Sequence, residues 1–177
     1  MSPEKTWASV SLPYVSGEPG DMWALEAAQQ GHRGTHKILG VDEDAPPEEV
    51  RQMLRLEPGE TAVVRRRLVL LDDQPIEFAD SYYPMSIARG TRLADPRKIP
   101  GGAAAYLATL GYQGDRVVED VDARIADAHE RATLRLPEPS CVLVHHRVIY
   151  AGDGQPVEAS IMTKVAPGHR IRYTLSL

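Results

Sequence analysis

The sequence predicts an α+β domain, with a single antiparallel β-sheet of about six to seven strands and helices packed on it. Two observations lead to this fold class. Stretches of alternating apolar and polar residues, typical of half-buried strands, are separated by turn residues and by short helix-like segments. The chain also contains an internal repeat, in which a short helix, a turn, a strand, a tight turn and a second strand occur twice.

The repeat has an offset of 80 residues, because Leu54 recurs as Leu134. Positions that match are Leu54–Leu56 with Leu134–Leu136, Val64 with Val144 and Arg67 with Arg147 and, after an inserted Gly154, Gln74–Glu77 with Gln155–Glu158. A periodic array needs at least three copies to bury its core. Two copies therefore predict one duplicated helix–hairpin unit within a single sheet, with helices covering one face.

Local signals place each element. Asp21 can cap a helix, Pro46-Pro47 followed by acids is typical of a helix start, and Asp72-Asp73 suits a hairpin turn. Residues 1–21 are predicted to be an extended lead-in or linker, although Trp7 and Tyr14 need something to pack on, and residues 22–177 one domain. The predicted elements are helix 22–30, strand 35–41, helix 47–54, strands 61–71 and 75–83, helix 102–110, strand 116–125, helix 126–134, and strands 141–150, 155–165 and 170–175.

Composition excludes several classes of protein. The 177 residues are 42% hydrophobic and 25% charged, which is typical of a globular domain. Lys plus Arg is 20 and Asp plus Glu is 25, so the net charge of −5 argues against a free-standing nucleic-acid-binding domain. The single Cys141 cannot form an internal disulfide, which favours a cytoplasmic location. We find neither a span of ~20 apolar residues nor a signal peptide, so no membrane association is predicted.

The densest basic cluster is Arg65-Arg66-Arg67. Because side chains alternate along a strand, Arg65 and Arg67 share one face, together with Val63 and Val69. Two arginines on a valine-lined face are costly to bury unless they are paired. They could hold a carboxylate or phosphate. The alternative is a pair of surface arginines that meet acids on the neighbouring strand.

Other candidate residues are weaker. Glu77 lies across the hairpin from the arginines and could orient one of them or a ligand hydroxyl, or serve only the hairpin. His145 is the repeat counterpart of Arg65 and could face the same side. Gly101-Gly102 precedes a helix and could offer amides to an anion. His145 and His146 are adjacent on a strand, so they point to opposite faces and cannot bind one metal ion together. No group of His, Cys or acidic residues has the spacing of metal ligands, so neither a metal site nor a cofactor is predicted.

The run Glu60–Pro84, ETAVVRRRLVLLDDQPIEFADSYYP, resembles the effector-binding domain of GntR-type transcription regulators of the HutC subfamily. This domain is called UTRA and shares its fold with chorismate lyase. The resemblance covers nearly the whole chain. It includes Trp23–Gly31 followed by Arg33-Gly34-Thr35, Arg97-Lys98-Ile99, and the closing Arg170–Tyr173.

The resemblance implies a cytoplasmic, usually dimeric sensor that holds a small effector against the sheet. The resemblance implies that Arg65, Arg67, Glu77, Gly102 and Ala103 line the ligand pocket. Further predicted ligand-binding residues are Trp23, Tyr82, His145 and Tyr173. Gly102-Ala103 lacks the serine that relatives often carry at that helix start, and Met22-Trp23-Ala24 is more apolar than the family's first turn. We therefore expect an apolar or aromatic acid rather than a sugar phosphate.

The family's DNA-binding part is a winged helix-turn-helix, and only residues 1–21 precede the predicted sensor. The sequence alone leaves two possibilities, an expressed fragment or a stand-alone sensor domain, and DNA binding is expected only through a winged-helix domain. The chain is not predicted to be an enzyme. The alternative is an enzyme of the chorismate lyase fold that acts on a small aromatic or enol acid, which fold analogy alone supports.

Overall fold

The computed structural model describes residues 7–10, 12–15 and 20–174, apart from the side chains of residues 9 and 12. The elements are β1 (Trp7–Val10), α1 (Leu12–Val15), α2 (Met22–Gln29), β2 (Gly34–Asp44), α3 (Glu48–Met53), β3 (Ala62–Leu71), β4 (Gln74–Pro84), α4 (Met85–Ala88), a 3-10 turn (Arg92–Ala94), α5 (Ala103–Thr109), β5 (Gly114–Ile125), α6 (Ala128–Leu134), β6 (Cys141–Ala151), β7 (Pro156–Val165) and β8 (His169–Arg172). In these ranges no helix is long and apolar enough to cross a membrane.

The main sheet has six antiparallel strands in the order β2-β3-β4-β7-β6-β5. The two repeated hairpins, β3–β4 and β6–β7, lie side by side in it. The predicted fold class is therefore confirmed. Because the order of equivalent strands is the same from either edge, an approximate two-fold axis between β4 and β7 relates the two halves.

The repeat is longer in the structure than the sequence analysis recognised. Each half consists of a helix, an edge strand, a second helix and a hairpin, so α2–β2–α3–β3–β4 corresponds to α5–β5–α6–β6–β7. Gly31 and Gly111 follow the first helix of each half with φ of 78° and 91°, a conformation that favours glycine. Gly34 and Gly114 begin the equivalent edge strands.

Helices pack on both faces of the sheet, and the prediction that they cover one face was wrong. We call the face that carries Arg65 and Arg67 the inner face and the opposite one the outer face. The repeat helices α3 and α6 bury Val50 and Leu134 on the outer face. The helices that precede the edge strands, α2 and α5, pack on the inner face, as does α4. Two layers of helix thus enclose the sheet.

The segment predicted as an extended lead-in contains a strand, β1, and a short helix, α1. Strand β1 pairs in parallel with β8, so this pair forms a second, two-stranded sheet rather than an extension of the first. The Trp7 ring lies 4.8 Å from the His169 ring, and Tyr14 packs against the core cluster that contains Trp7 and Trp23. Trp7 and Tyr14 therefore pack within the domain itself. Residues 1–6, 11, 16–19 and 175–177 lie outside the described residues.

Candidate functional site

A cavity of about 550 Å³ lies on the inner face, between the N-terminal ends of α2 and α5. Its floor is formed by the sheet and its walls by the two equivalent helices. Apart from His36, its ionisable side chains are four cations, Arg65, Arg67, Lys98 and Arg147, two carboxylates, Asp21 and Glu158, and the phenols of Tyr14 and Tyr83. The cavity therefore suits a small ligand with negative charge.

The guanidinium of Arg67 lacks most of the hydrogen bonds and ion pairs that a cation in this cavity could make. Its guanidinium donates one long hydrogen bond of 3.3 Å to Ser81 Oγ. Its Nε is buried and has no hydrogen-bond partner among the described residues, and none of their carboxylates lies within 4.0 Å of it. A half-buried cation in this state is costly unless an anion joins it.

A chain of hydroxyl groups connects Arg67 to Glu158 across the approximate two-fold axis. Ser81 Oγ and Ser160 Oγ are 2.8 Å apart, and Ser160 donates to Glu158 Oε1 over 2.8 Å. Because Ser160 donates to Glu158 and Arg67 donates to Ser81, the proton between the serines is directed from Ser81 to Ser160. Burial, followed by the neighbouring Glu158 carboxylate, raises the pKa of the Tyr83 phenol well above its usual value. Tyr83 therefore remains a neutral donor.

Arg147 is the repeat counterpart of Arg67 and enters the cavity from the other half of the sheet. It is only 9% exposed, and its Nε donates to Glu119 Oε1 over 2.6 Å. Glu119 also lies 3.2 Å from His145 Nε2 and accepts from the hydroxyl of Tyr173 over 2.8 Å. This cluster fixes Arg147 in place, so the floor of the cavity presents one arginine from each half.

Arg65 has a different role from Arg67, although it also touches the cavity. It is 4% exposed, and its guanidinium donates to four main-chain carbonyls of the segment that follows α4, namely those of Arg92, Leu93, Asp95 and Arg97, over 2.5–3.3 Å. Burial lowers its pKa. Neutral carbonyls satisfy its donors but not its charge. Arg65 thus holds this segment and adds a positive potential to the cavity.

The mouth of the cavity joins the two halves. Asp21, the N-cap of α2, accepts from the Ala24 amide over 3.2 Å and from Lys98 Nζ over 2.7 Å. Although burial favours the protonated form, these hydrogen bonds lower the pKa of Asp21. His36 Nδ1 lies 4.0 Å from Asp21, and burial, then Lys98, lowers the pKa of His36. His36 is therefore neutral near pH 7.

The remaining lining is apolar. Met22, Trp23, Ile38 and Ile99 contribute to it. The indole Nε1 of Trp23 donates to the Leu70 carbonyl over 3.0 Å, so its ring serves as an apolar wall. On the opposite side α5 begins at Ala103, and its N-cap residue Gly102 has a φ of 89° and makes no side-chain capping hydrogen bond. Gly102 and Ala103 bring main-chain atoms to the cavity.

The structure brings five of the nine predicted ligand-binding residues to this cavity: Trp23, Arg65, Arg67, Gly102 and Ala103. It places the other four elsewhere. Tyr82 points to the outer face, where it packs with Val50, because alternation separates it from Tyr83. Glu77 forms an ion pair with Lys164 one strand away. As described above, His145 and Tyr173 contact Glu119. We do not retain these four as ligand contacts.

The sequence analysis missed Arg147 and Glu158 as cavity residues, although the repeat contained the signal. Arg147 matches Arg67, and Glu158 matches Glu77. Two equivalent units around a two-fold axis place equivalent side chains on either side of it. The predicted arginine therefore implies a second one. In the described part of the chain, no three His, Cys, Asp or Glu residues cluster so that they could hold a metal ion.

Comparison with known proteins supports a family assignment. A family model of the UTRA domain matches residues 29–169. An uncharacterised HTH-type transcriptional regulator of Streptomyces coelicolor is 31% identical over 138 residues, which are 76% of this chain and 51% of that protein. The chain thus spans about half the length of this curated relative.

Solved structures share the fold. The effector domain of PhnF from Mycobacterium smegmatis superimposes with a TM-score of 0.74 at 17% identity, covering 90% of this chain and 99% of that one. A GntR-family transcriptional regulator from Enterococcus faecalis gives a TM-score of 0.60 at 16% identity, covering 82% of this chain and 99% of that one. The structures show the likeness of fold, and the family model extends over most of the sequence. The chain belongs to the UTRA domain family.

Proposed function

We propose that this chain is the effector-sensing domain of a transcription regulator and that it holds a small organic acid in the cavity between α2 and α5. The observation that carries this proposal is Arg67. It is a half-buried guanidinium on the cavity floor with a partnerless Nε and no carboxylate within 4.0 Å among the described residues. An acidic group of the effector completes its hydrogen bonds and balances its charge.

The rest of the lining supports an effector with an apolar or aromatic body. Trp23, Met22, Ile38 and Ile99 supply apolar surface, and the Trp23 indole N–H is already used within the protein. A sugar would leave many hydroxyls against these side chains without partners. An acid with a ring or short alkyl chain places its charge at Arg67 and its body against α2.

The first experiment is a thermal-shift panel of aryl and alkyl carboxylic acids and phosphate monoesters, each acid paired with its neutral amide. A ligand that binds only the folded state raises the melting temperature. We expect at least one acid to do so while its amide does not. Equal shifts by acids and amides would contradict a site built around Arg67.

The enzyme alternative is a separate prediction, which fold analogy alone supports. Incubation with chorismate and an assay for released pyruvate tests it. We expect no pyruvate above the rate without protein, whereas catalytic release would replace the sensor proposal. DNA binding is proposed to belong to a winged-helix domain outside the UTRA domain, and the name of the Streptomyces coelicolor relative, an HTH-type regulator, supports this.

A further inference from the structure

Two contacts cross the mouth of the cavity and join the segment before α2 to the segment before α5. Lys98 Nζ donates to Asp21 Oδ2 over 2.7 Å, and the Gly20 amide donates to the Gly101 carbonyl over 3.4 Å. All four residues line the cavity. Because Asp21 and Gly101 are 80 residues apart, they are equivalent positions of the repeat. The two walls therefore approach each other across the approximate two-fold axis.

The mouth and the interior of the cavity differ in how much solvent reaches them. The side chain of Lys98 is 61% exposed and that of Asp21 is 31% exposed. By contrast, three residues that line the interior, Trp23, Arg65 and Tyr83, are at most 8% exposed. The ion pair between Lys98 and Asp21 thus lies between solvent and the buried part of the cavity.

Asp21 is held in place by the start of α2. Its Oδ1 accepts from the Ala24 amide over 3.2 Å, and its main-chain carbonyl accepts from the Leu25 amide over 3.0 Å. The other carboxylate oxygen, Oδ2, binds Lys98. Asp21 therefore provides a fixed acceptor at the mouth.

The main chain on either side of Lys98 is also held. Arg65 donates to the Arg97 carbonyl over 2.9 Å, and Ile99 is buried in the inner-face core. The Lys98 side chain, in contrast, is long and flexible, and it loses rotamer freedom when it pairs. Exposed ion pairs of this kind contribute little free energy. The part of the mouth that moves is therefore the Lys98 side chain rather than the walls.

We propose that Asp21 and Lys98 form a gate over the cavity, closed by their ion pair, through which small molecules enter and leave. When the Lys98 side chain turns into solvent, its ammonium group leaves Asp21 and the mouth widens. The role of this gate in effector binding rests on the proposed function. The gate itself does not, because it controls the access of any small solute to the interior.

Acrylamide quenching of Trp23 fluorescence tests the gate with a neutral probe, whose approach does not depend on the charge of the cavity. The chain has two tryptophans, so Trp7→Phe leaves Trp23, a cavity residue, as the sole reporter. In this parent protein we compare Lys98→Met, Asp21→Asn and the two together. Asparagine is also a good N-cap residue, so Asp21→Asn removes the ion pair and keeps a cap for α2.

Arg97→Met is the matched control, because Arg97 forms an exposed ion pair with Asp95 on the same segment. We expect the quenching constant to rise roughly twofold in each single gate variant, since local opening admits acrylamide to the Trp23 ring. The double variant should rise no further, because both substitutions break the same contact. Arg97→Met should match the parent protein. At about 1 M NaCl, where the screening length is ~3 Å, the parent should approach the Lys98→Met value.

An unchanged constant in either single gate variant, an additive rise in the double variant, an equal rise in Arg97→Met or no effect of salt on the parent would overturn the gate. If circular dichroism shows that Trp7→Phe does not fold, the same variants are compared in the native chain, where the buried Trp7 adds a constant background. Acid binding is measured separately in the thermal-shift panel. Failure of the gate and failure of the effector proposal are therefore distinguishable.

Discussion

Arg65 and Arg67 stand two residues apart on one strand and share a face, yet their donors are used differently. Arg65 donates to four carbonyls of the segment after α4, whereas Arg67 makes one long hydrogen bond to Ser81. Arg65 therefore holds the segment after α4 on the sheet, whereas Arg67 has donors left for a ligand. Arg65 is buried and donates to carbonyls, so the alternative of surface arginines paired with acids on the neighbouring strand does not describe it. Binding of a ligand by Arg67 stays a prediction.

Arg65→Ala should lower the free energy of unfolding by roughly 1.5–3 kcal/mol or more, because hydrogen bonds to a charged group are lost and buried carbonyls lose their donor. Arg66→Ala is the control, since its ion pairs with Asp42 and Asp80 lie at the surface and should contribute less than about 1 kcal/mol. Urea unfolding of both variants measures the difference. Equal losses would show that Arg65 does not hold the segment.

Residue roles were predictable only in part. Strand alternation correctly placed Arg65 and Arg67 on one face. The glutamate of the cavity is Glu158 rather than Glu77, because Lys164 stands directly opposite Glu77 and pairs with it. That partner comes from the other half of the repeat. Pairing across the two-fold axis is not visible in the local sequence.

At the scale of elements, the position of α2 depends on the absence of a side chain at Gly34. A Cβ there would lie 2.7 Å from the Trp23 carbonyl oxygen and 2.8 Å from Ala27 Cβ. Gly34→Ala should therefore push α2 away from β2, at about 1–3 kcal/mol. Gly152→Ala, where a Cβ meets nothing within 4 Å, is the matched control. Urea unfolding and Trp23 fluorescence should change in the first variant only, and an unchanged Gly34→Ala would contradict this packing.

The equivalent helices α3 and α6 begin differently. Asp127 and Glu130 form a capping box at the start of α6, whereas Pro47 precedes α3 without a side-chain cap. Asp127→Ala should lower the free energy of unfolding by about 1 kcal/mol. Pro47→Ala, which removes no capping hydrogen bond, serves as the comparison in the same urea titration. A larger loss at Pro47 than at Asp127 would contradict the role of the cap.

Helices and hairpins were predictable because their signals are local. Alternation and the Asp72-Asp73 turn located β3 and β4, and Gly31 and Gly111 located the ends of α2 and α5. Strand β1 was not predicted, because its partner β8 lies some 160 residues away and a four-residue strand has little periodicity. The division of helices between two faces depends on tertiary packing that the repeat offset does not describe.

At the scale of the whole molecule, three buried or half-buried histidines are expected to make the free energy of unfolding depend on pH. Burial, followed by the Lys164 charge, lowers the pKa of His169 to about 3. Burial also lowers the pKa of His36 and His145. The unfolded chain binds these protons below about pH 6.5 while the folded chain does not, so the free energy of unfolding should fall as pH falls from 6.5.

Urea unfolding at pH 7.5, 6.5 and 5.5 measures this dependence, and His169→Asn should make it shallower. Glu77, whose pKa is lowered by Lys164 against the opposing effect of burial, adds a further loss of stability below about pH 4.5. Constant or rising stability between pH 6.5 and 5.5 would contradict the burial of neutral histidines.

This acidic chain alone should not bind DNA. Its net charge of −5 opposes phosphate contacts, which account for most nonspecific affinity. Gel-shift titration with random duplex at two salt concentrations measures this. A saturable, salt-sensitive shift would contradict the expectation that DNA binding belongs to another domain.

Arg67 is proposed to hold the acidic group of the effector. Calorimetry with the acid that gives the largest thermal shift tests it, comparing Arg67→Ala with Arg66→Ala, whose side chain lies on the outer face. We predict that Arg67→Ala lowers affinity by roughly 1.5–3 kcal/mol, one to two decades in Kd, while Arg66→Ala leaves it nearly unchanged. Equal losses in both variants, or no loss in a folded Arg67→Ala protein, would show that Arg67 does not hold the acidic group.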